Sequence, residues 1–352
     1  MPNILKFAVI IFCLSLFSAC TMFQKPASDA MLKSENYNPE TGRFHNSDGS
    51  ENKKSPSQLF KMARAFFTRA KDPLENTGFD TLSPAEQPDS PTGRQVTWIG
   101  HSTLLVSING QHILTDPIFI GRASPFSFMG PKRAGETPLA MADLPAIDAV
   151  VISHNHYDHL SIPTLKTLND LQPDIQYFVP LGLADLLKKA GIMQVTELDW
   201  WQSASHKGIE FTSTAVQHWS SRRGFDRNET LWSGWMVNWP KFSFYFAGDT
   251  GYSPDFRETR KRLGAPDLAA IPIGAYNPRP FMKASHVNPE EAVQIFTDLT
   301  PKQAVAVHWG TFKLTLEPLN EPPVRLAAAL RKAEIDKARF LALQHGQKLH
   351  LD

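Results

Sequence analysis

Apolar and polar positions divide the chain into three stretches. Phe7 to Phe17 is an almost unbroken apolar run, preceded by Lys6 and followed by the small pair Ser18-Ala19 before Cys20. A positive start, an apolar middle too short to span a bilayer and a small-residue end predict an export signal over residues 1–19. Residues 20–90 are rich in Ser, Asn, Pro, Lys and Glu and read as a tether and N-terminal extension. One helical pattern interrupts it near residues 58–70. Leu59, Met62, Ala63, Phe66, Phe67 and Ala70 recur at helical spacing, with Lys61, Arg64, Arg69 and Lys71 mostly on the other side. Such a helix either docks on the protein or lies on a lipid surface. Residues 91–352 alternate apolar runs with helical patterns, which predicts an α/β domain.

Within that domain four apolar runs each lead into a histidine or aspartate. Ala149 to Ser153 leads into His154, Phe211 to Val216 into His218, Phe242 to Ala247 into Asp249, and Ala304 to Val307 into His308. Ligands of α/β sheets bind in the crevice outside the strand ends, so four separate segments can deliver polar groups to one place. Asn109-Gly110 between Leu104-Leu105-Val106 and Ile113-Leu114 predicts a hairpin, with His101 and Asp116 near opposite ends of that unit.

The densest chemistry is His154-Asn155-His156-Tyr157-Asp158-His159. In extended geometry His154 and His156 point the same way, so one metal can take both. Asp158 and His159, turning into a helix predicted to begin near Ser161, can face a second metal. The expected set is His154, His156 and His218 on one ion, Asp158, His159 and His308 on the other, with Asp249 bridging and room for a bridging water. Cysteine changes the picture by its absence: Cys13 and Cys20 are the only two. That excludes a disulfide scaffold, a zinc finger, a cysteine nucleophile and an iron–sulfur site in the body of the protein. Imidazole and carboxylate without thiolate suit zinc, two ions per chain, with iron or manganese as alternatives. A net charge of +1 gives no global basic excess for nucleic acid.

Further stretches accompany this site: Thr97-Trp98-Ile99-Gly100-His101-Ser102-Thr103, Phe246 to Gly251, Ala270 to Tyr276, Phe281-Met282-Lys283, His286 to Ala292, and Val307-His308-Trp309-Gly310-Thr311-Phe312. Together with the His154–His159 string they resemble the metallo-β-lactamase superfamily, and within it the N-acyl-phosphatidylethanolamine-hydrolysing phospholipase D family, from about residue 90 onward. The resemblance implies an αββα sandwich with a dinuclear site at the strand ends. It also implies a zinc-dependent phosphodiesterase of the phospholipase D type, in which a metal-bridging hydroxide attacks phosphorus of an N-acyl-phosphatidylethanolamine or related glycerophospholipid. Asp158 and His286 are the expected catalytic residues. His286 would orient phosphate or protonate the leaving oxygen, or else cap a helix expected over Val287 to Leu299. Asp116 is expected to fix the ligand loop by hydrogen bonds, and Trp219 to line the pocket. The same site could serve a lactone or amide hydrolase, or stabilise a non-catalytic lipid-binding protein of the envelope.

Ser18-Ala19-Cys20 also resembles a bacterial lipobox, which implies lipidation of Cys20 and a membrane-surface anchor. Thr21 after it resembles lipoproteins sorted to an outer membrane, here facing the periplasm. A phospholipid or other amphipathic substrate is the expected partner, and a homodimer is compatible with the sequence.

Overall fold

The computed structural model describes residues 27–352. The expected signal at 1–19 and the expected lipidation of Cys20 lie outside them. A short hairpin, β1 (Tyr37–Asn38) and β2 (Arg43–Phe44), precedes two seven-stranded sheets. The first sheet contains β3 (Arg94–Gly100), β4 (Thr103–Ile108), β5 (Gln111–Thr115), β6 (Ala149–Val151), β7 (Gln176–Pro180), β8 (Val195–Leu198) and β16 (Lys348–His350). The second contains β9 (Ser203–His206), β10 (Ile209–Thr214), β11 (Gly234–Trp239), β12 (Phe242–Phe246), β13 (Leu268–Pro272), β14 (Gln303–Val307) and β15 (Phe340–Leu341). Strand orders are β16-β3-β4-β5-β6-β7-β8 and β15-β14-β13-β12-β11-β10-β9. Each sheet is antiparallel in one half and parallel in the other, the parallel half of the first being β5 to β8 and of the second β12 to β15. With helices flanking the two sheets, this is the expected α/β sandwich.

The alternation of side chains along a strand decides which core each residue joins. Leu104, Val106 and Ile108 of β4 enter the main core with Phe211, Trp235, Val237, Phe244 and Phe246 of the second sheet, and Phe178 stacks on Phe211 at 4.0 Å. Leu105, Leu114, Val150 and Ile152 face the other way, under Leu165 and Leu168 of the helix Ile162–Leu171 and Leu187 of the helix Ala184–Lys189.

Several boundaries differ from expectation. The amphipathic helix runs Pro56–Thr68, starting two residues before the expected 58 because Ser55 and Gln58 form a capping box. The last long helix before β14 is Pro289–Leu299, with Asn288 accepting the Glu291 amide at 2.9 Å. Asn288 therefore does the capping, and His286 lies in the preceding loop. His101 and Asp116 sit at the same open end of the β4–β5 hairpin, not at opposite ends. Antiparallel pairing brings the residue before the first strand beside the residue after the second: Thr103 donates to Asp116 O (2.8 Å) and Thr115 to Ser102 O (2.6 Å). From residue 27 the extension is built onto the body and is no free tether there. Phe44 is fully buried, its amide donates to Asn228 O, and the Asn228 side chain donates back to Phe44 O.

Candidate metal centre

Four strand ends and two loops converge on one cluster of imidazoles and carboxylates. His154 follows β6, His218 follows β10, Asp249 follows β12 and His308 follows β14. His156 Nδ1 lies 2.8 Å from His154 Nε2 and 3.3 Å from His218 Nε2, so three ring nitrogens face a common point. Asp158 Oδ2 lies 3.4 Å from His159 Nε2 and 3.3 Å from His308 Nε2. Asp249 touches both groups. Its Oδ1 is 3.1 Å from His308 Nε2, and its Oδ2 is 3.2 Å from His159 Nε2 and 3.8 Å from His218 Nε2.

These residues fit metal ions. The ligand atoms of His154, His156 and His218 lie within 4.8 Å of one another, as do those of His101, Asp158, His159 and His308. His159 Nε2 and Asp249 Oδ1, which face the cluster, are buried without a hydrogen-bond partner among the described residues. Buried polar atoms left unpaired are costly unless something else satisfies them. The outward ring nitrogens of His154, His159 and His218 are meanwhile fixed in the way metal-ligating histidines require. His218 Nδ1 donates to Ser285 O at 2.8 Å. His159 Nδ1 pairs with Asp116 Oδ2 at 2.6 Å, and the Ser153 hydroxyl donates to the same oxygen at 2.5 Å. Ser153 Oγ is in turn 2.9 Å from His154 Nδ1. One aspartate and one serine thus orient a histidine of each group.

Burial holds His156 and His218 down at about 3 and pulls His154 well below its ordinary range, so these three are neutral lone-pair donors. Burial also opposes charge on His308, but Asp249 and the hydrogen bond to Asp158 outweigh it and raise it to about 9. His159 is likewise raised well above its ordinary value despite burial, by Asp249, Asp158 and Asp116. Burial pushes Asp158 and Asp249 up, and the neighbouring histidines overcome it and hold both well below the carboxylate range.

Tight backbone supports the cluster. His101, Asp116 and His308 adopt positive φ of 53°, 34° and 61°, a conformation that costs non-glycine residues energy and gathers at functional sites. A Cβ on Gly274 would come 2.0 Å from His308 O, which accounts for glycine there.

His101 is the residue whose part the spacing of the string did not foretell. It follows β3 and places Nε2 3.0 Å from Asp158 Oδ2. A fifth apolar strand running into Gly-His was the available signal. His286 reaches the cluster from its loop, with Nδ1 3.7 Å from Asp249 Oδ2. Trp219 packs edge-on against His156 at 4.2 Å, and the Arg227 guanidinium lies over the Trp219 ring at 4.1 Å. Two extension residues meet the site's backbone: Asn46 accepts the His218 amide (2.9 Å), and Asn52 donates to Ala284 O (2.9 Å) and His218 O (3.3 Å).

Beside the cluster lies a groove of about 910 Å³, whose walls include Tyr37, Asn155, Tyr157, Leu183, Arg222 and Glu229. Arg222 donates to Asn155 O and Leu160 O, each at 2.7 Å, and stacks on Tyr157 at 3.9 Å. It clamps the loop carrying the ligand string.

A beta-lactamase superfamily domain model matches residues 111–309, more than half of the chain, and a metal-dependent hydrolase of this superfamily is what the fold and the cluster define. The chain belongs, within that superfamily, to the family of "N-acyl-phosphatidylethanolamine-hydrolyzing phospholipase D 1" of Caenorhabditis elegans, to which it is 37% identical over 83% of its own length and 86% of the relative's. An uncharacterized protein of Mycobacterium tuberculosis is 43% identical over 69% of this chain and 66% of that one. The fold is shared with a "possible metal-dependent hydrolase" from Veillonella parvula, at a TM-score of 0.59 and 19% identity over 73% of this chain and 99% of that one.

Proposed function

We propose that the protein is a zinc-dependent phosphodiesterase of the phospholipase D type, acting on N-acyl-phosphatidylethanolamine or a related glycerophospholipid. The observation that carries this reading is the 37% identity, across most of both lengths, to a relative named for that reaction. His154, His156 and His218 would hold one ion and Asp158, His159 and His308 a second, with Asp249 serving both. Two such ions would supply Lewis acidity to ionise water and to take up charge on the phosphoryl oxygens. The set contains imidazole and carboxylate without thiolate, which supports zinc.

In the reaction water's oxygen bonds to phosphorus, the bond from phosphorus to the head-group oxygen breaks, and that oxygen gains a proton. The products are phosphatidic acid and the head-group alcohol. His286, 12% exposed at its side chain and with Nδ1 3.7 Å from Asp249 Oδ2, would orient the phosphate or hold a proton for the leaving oxygen. Asp116 and Ser153 keep His159 and His154 turned into the cluster.

The test is a screen of zinc-loaded protein against phospholipids, N-acyl phospholipids and lactones with product identification. Release of phosphatidic acid is expected. A sample that holds two zinc ions yet leaves every head group intact overturns the reading, and lactone opening would replace it with the carbonyl alternative. We also propose that Cys20 is lipidated and anchors the chain in the envelope, supported by the apolar run and small residues before it. A Cys20→Ser form should leave the membrane fraction, and its unchanged retention there would refute the anchor.

A further inference from the structure

The helix Pro56–Thr68 has no buried residue, although it is apolar enough to seek cover. Its circumference divides into three arcs at 100° per residue. Met62, Ala65, Phe66 and Arg69 form the half-covered arc turned to the body, with Arg69 bonded to Glu75 and stacked on Phe66 at 4.5 Å. Leu59, Phe60, Ala63 and Phe67 form a second arc facing outward, where Leu59 is 52%, Phe60 70% and Phe67 85% exposed. Lys61 and Arg64 form the third, beside that stripe.

Charge along the segment is one-sided. Residues 52–71 include Lys53, Lys54, Lys61, Arg64, Arg69 and Lys71 and no Asp or Glu. Lys53 and Arg69 meet Glu51 and Glu75 just outside it, while Lys61 and Arg64 on the helix itself have no acidic neighbour within the segment.

The helix is also held at both ends on the rim of the metal face. Before it, Asn52 is bonded to the carbonyls of His218 and Ala284, and Lys54 lies over the Phe281 ring at 5.2 Å. After it, Asp72 accepts the Leu319 amide at 2.7 Å and pairs with Lys313 at 3.5 Å, in the segment that follows His308. Thirteen helical residues span about 20 Å, so the helix connects the His218 side of the centre to the His308 side.

From these observations we infer that the helix Pro56–Thr68 is a docking element for an anionic lipid bilayer surface, holding the rim of the metal centre against the membrane. Phe60 and Phe67 enter the boundary between head groups and acyl chains, and Lys61 and Arg64 reach lipid phosphates through apolar stems. A bilayer suits this face better than a protein partner because a cationic rim directly beside an aromatic stripe matches the two layers of an anionic interface. The inference is independent of which bond the enzyme cleaves, since it is read from binding alone.

The test uses the full chain with Cys13→Ser and Cys20→Ser, carrying an environment-sensitive fluorophore at Ala63→Cys so that the signal reports this helix and not the N-terminal apolar run. Vesicles of phosphatidylcholine with phosphatidylglycerol should shift the emission to the blue, whereas pure phosphatidylcholine should give a much weaker response. Phe60→Ser with Phe67→Ser should weaken binding at least tenfold, since each exposed aromatic lost removes a large apolar surface from the contact. Lys61→Gln with Arg64→Gln should abolish the preference for phosphatidylglycerol. No blue shift, or an equal shift on both vesicle types, overturns the inference. So does a concentration-dependent dimer that dissociates in the Phe60→Ser/Phe67→Ser form while vesicle binding is unchanged, which would make the face a contact between two copies.

Discussion

Replacing Asp116 by asparagine isolates the orientation of one histidine from its presence. The buried carboxylate accepts the Ser153 amide on Oδ1 (2.7 Å) and the Ser153 hydroxyl and His159 Nδ1 on Oδ2. An asparagine amide can keep the Ser153 amide on its carbonyl oxygen, but its NH2 then faces His159 Nδ1. Two donors cannot share that contact, so Nδ1 must become the acceptor and the imidazole proton moves to Nε2, which points at Asp158 and Asp249. The lone pair needed by a metal is thereby capped. Loss of an outer hydrogen bond of this kind costs about 10–100-fold in metal affinity, or about 1.4–2.8 kcal/mol. The lost charge-assisted bond removes a further ~1.5–3 kcal/mol of folding stability. Titration against a chromophoric chelator should show the ion near His159 weakened by that factor, while the ion near His154, His156 and His218 stays, so stoichiometry falls from two toward one. Circular dichroism should show an intact fold. Affinity unchanged within about twofold would refute this account of Asp116.

Two further outcomes follow from the same structure. Stripping divalent ions with a chelator should lower the thermal midpoint, because ions that bind only the folded chain at about 100 times their Kd add ~2.7 kcal/mol each; calorimetry before and after adding zinc back checks this, and an unchanged midpoint would argue against structural coupling of the centre. Asp226 accepts the Ser221 hydroxyl (2.7 Å) and the Arg222 and Arg223 amides (2.9 and 2.8 Å); burial pushes its pKa up, but these bonds outweigh burial and leave it below the usual range. Its stabilisation is therefore present above the unfolded carboxylate value of about 3.9 and lost as pH falls through the lower folded value. The midpoint gap between wild type and Asp226→Asn should close on acidification, and a gap that widens would contradict the sign.

Local signals carried the most chemistry. The His154–His159 string needs only strand geometry to be read, and His218, Asp249 and His308 were visible because each ends an apolar run. The cap of the Pro289–Leu299 helix is legible too: Asn288 before Pro289, Glu290 and Glu291 is an N-terminal signature, and it leaves His286 in the loop. Contacts between distant segments left no such trace. His101 meets Asp158 across 57 positions, and its role depends on β3 lying beside the centre. Asn46 and Asn52 belong to a stretch without periodicity, yet they bond the backbone of His218 across 172 and 166 positions. These two asparagines lie outside residues 111–309, where the superfamily model matches. The backbone of one candidate ligand is therefore held by residues outside the matched segment, and the extension that carries them leads directly into the exposed helix at the rim. One continuous piece of chain thus holds the His218 backbone and carries the surface beside the centre, so a disturbance of Asn52 should be felt in both.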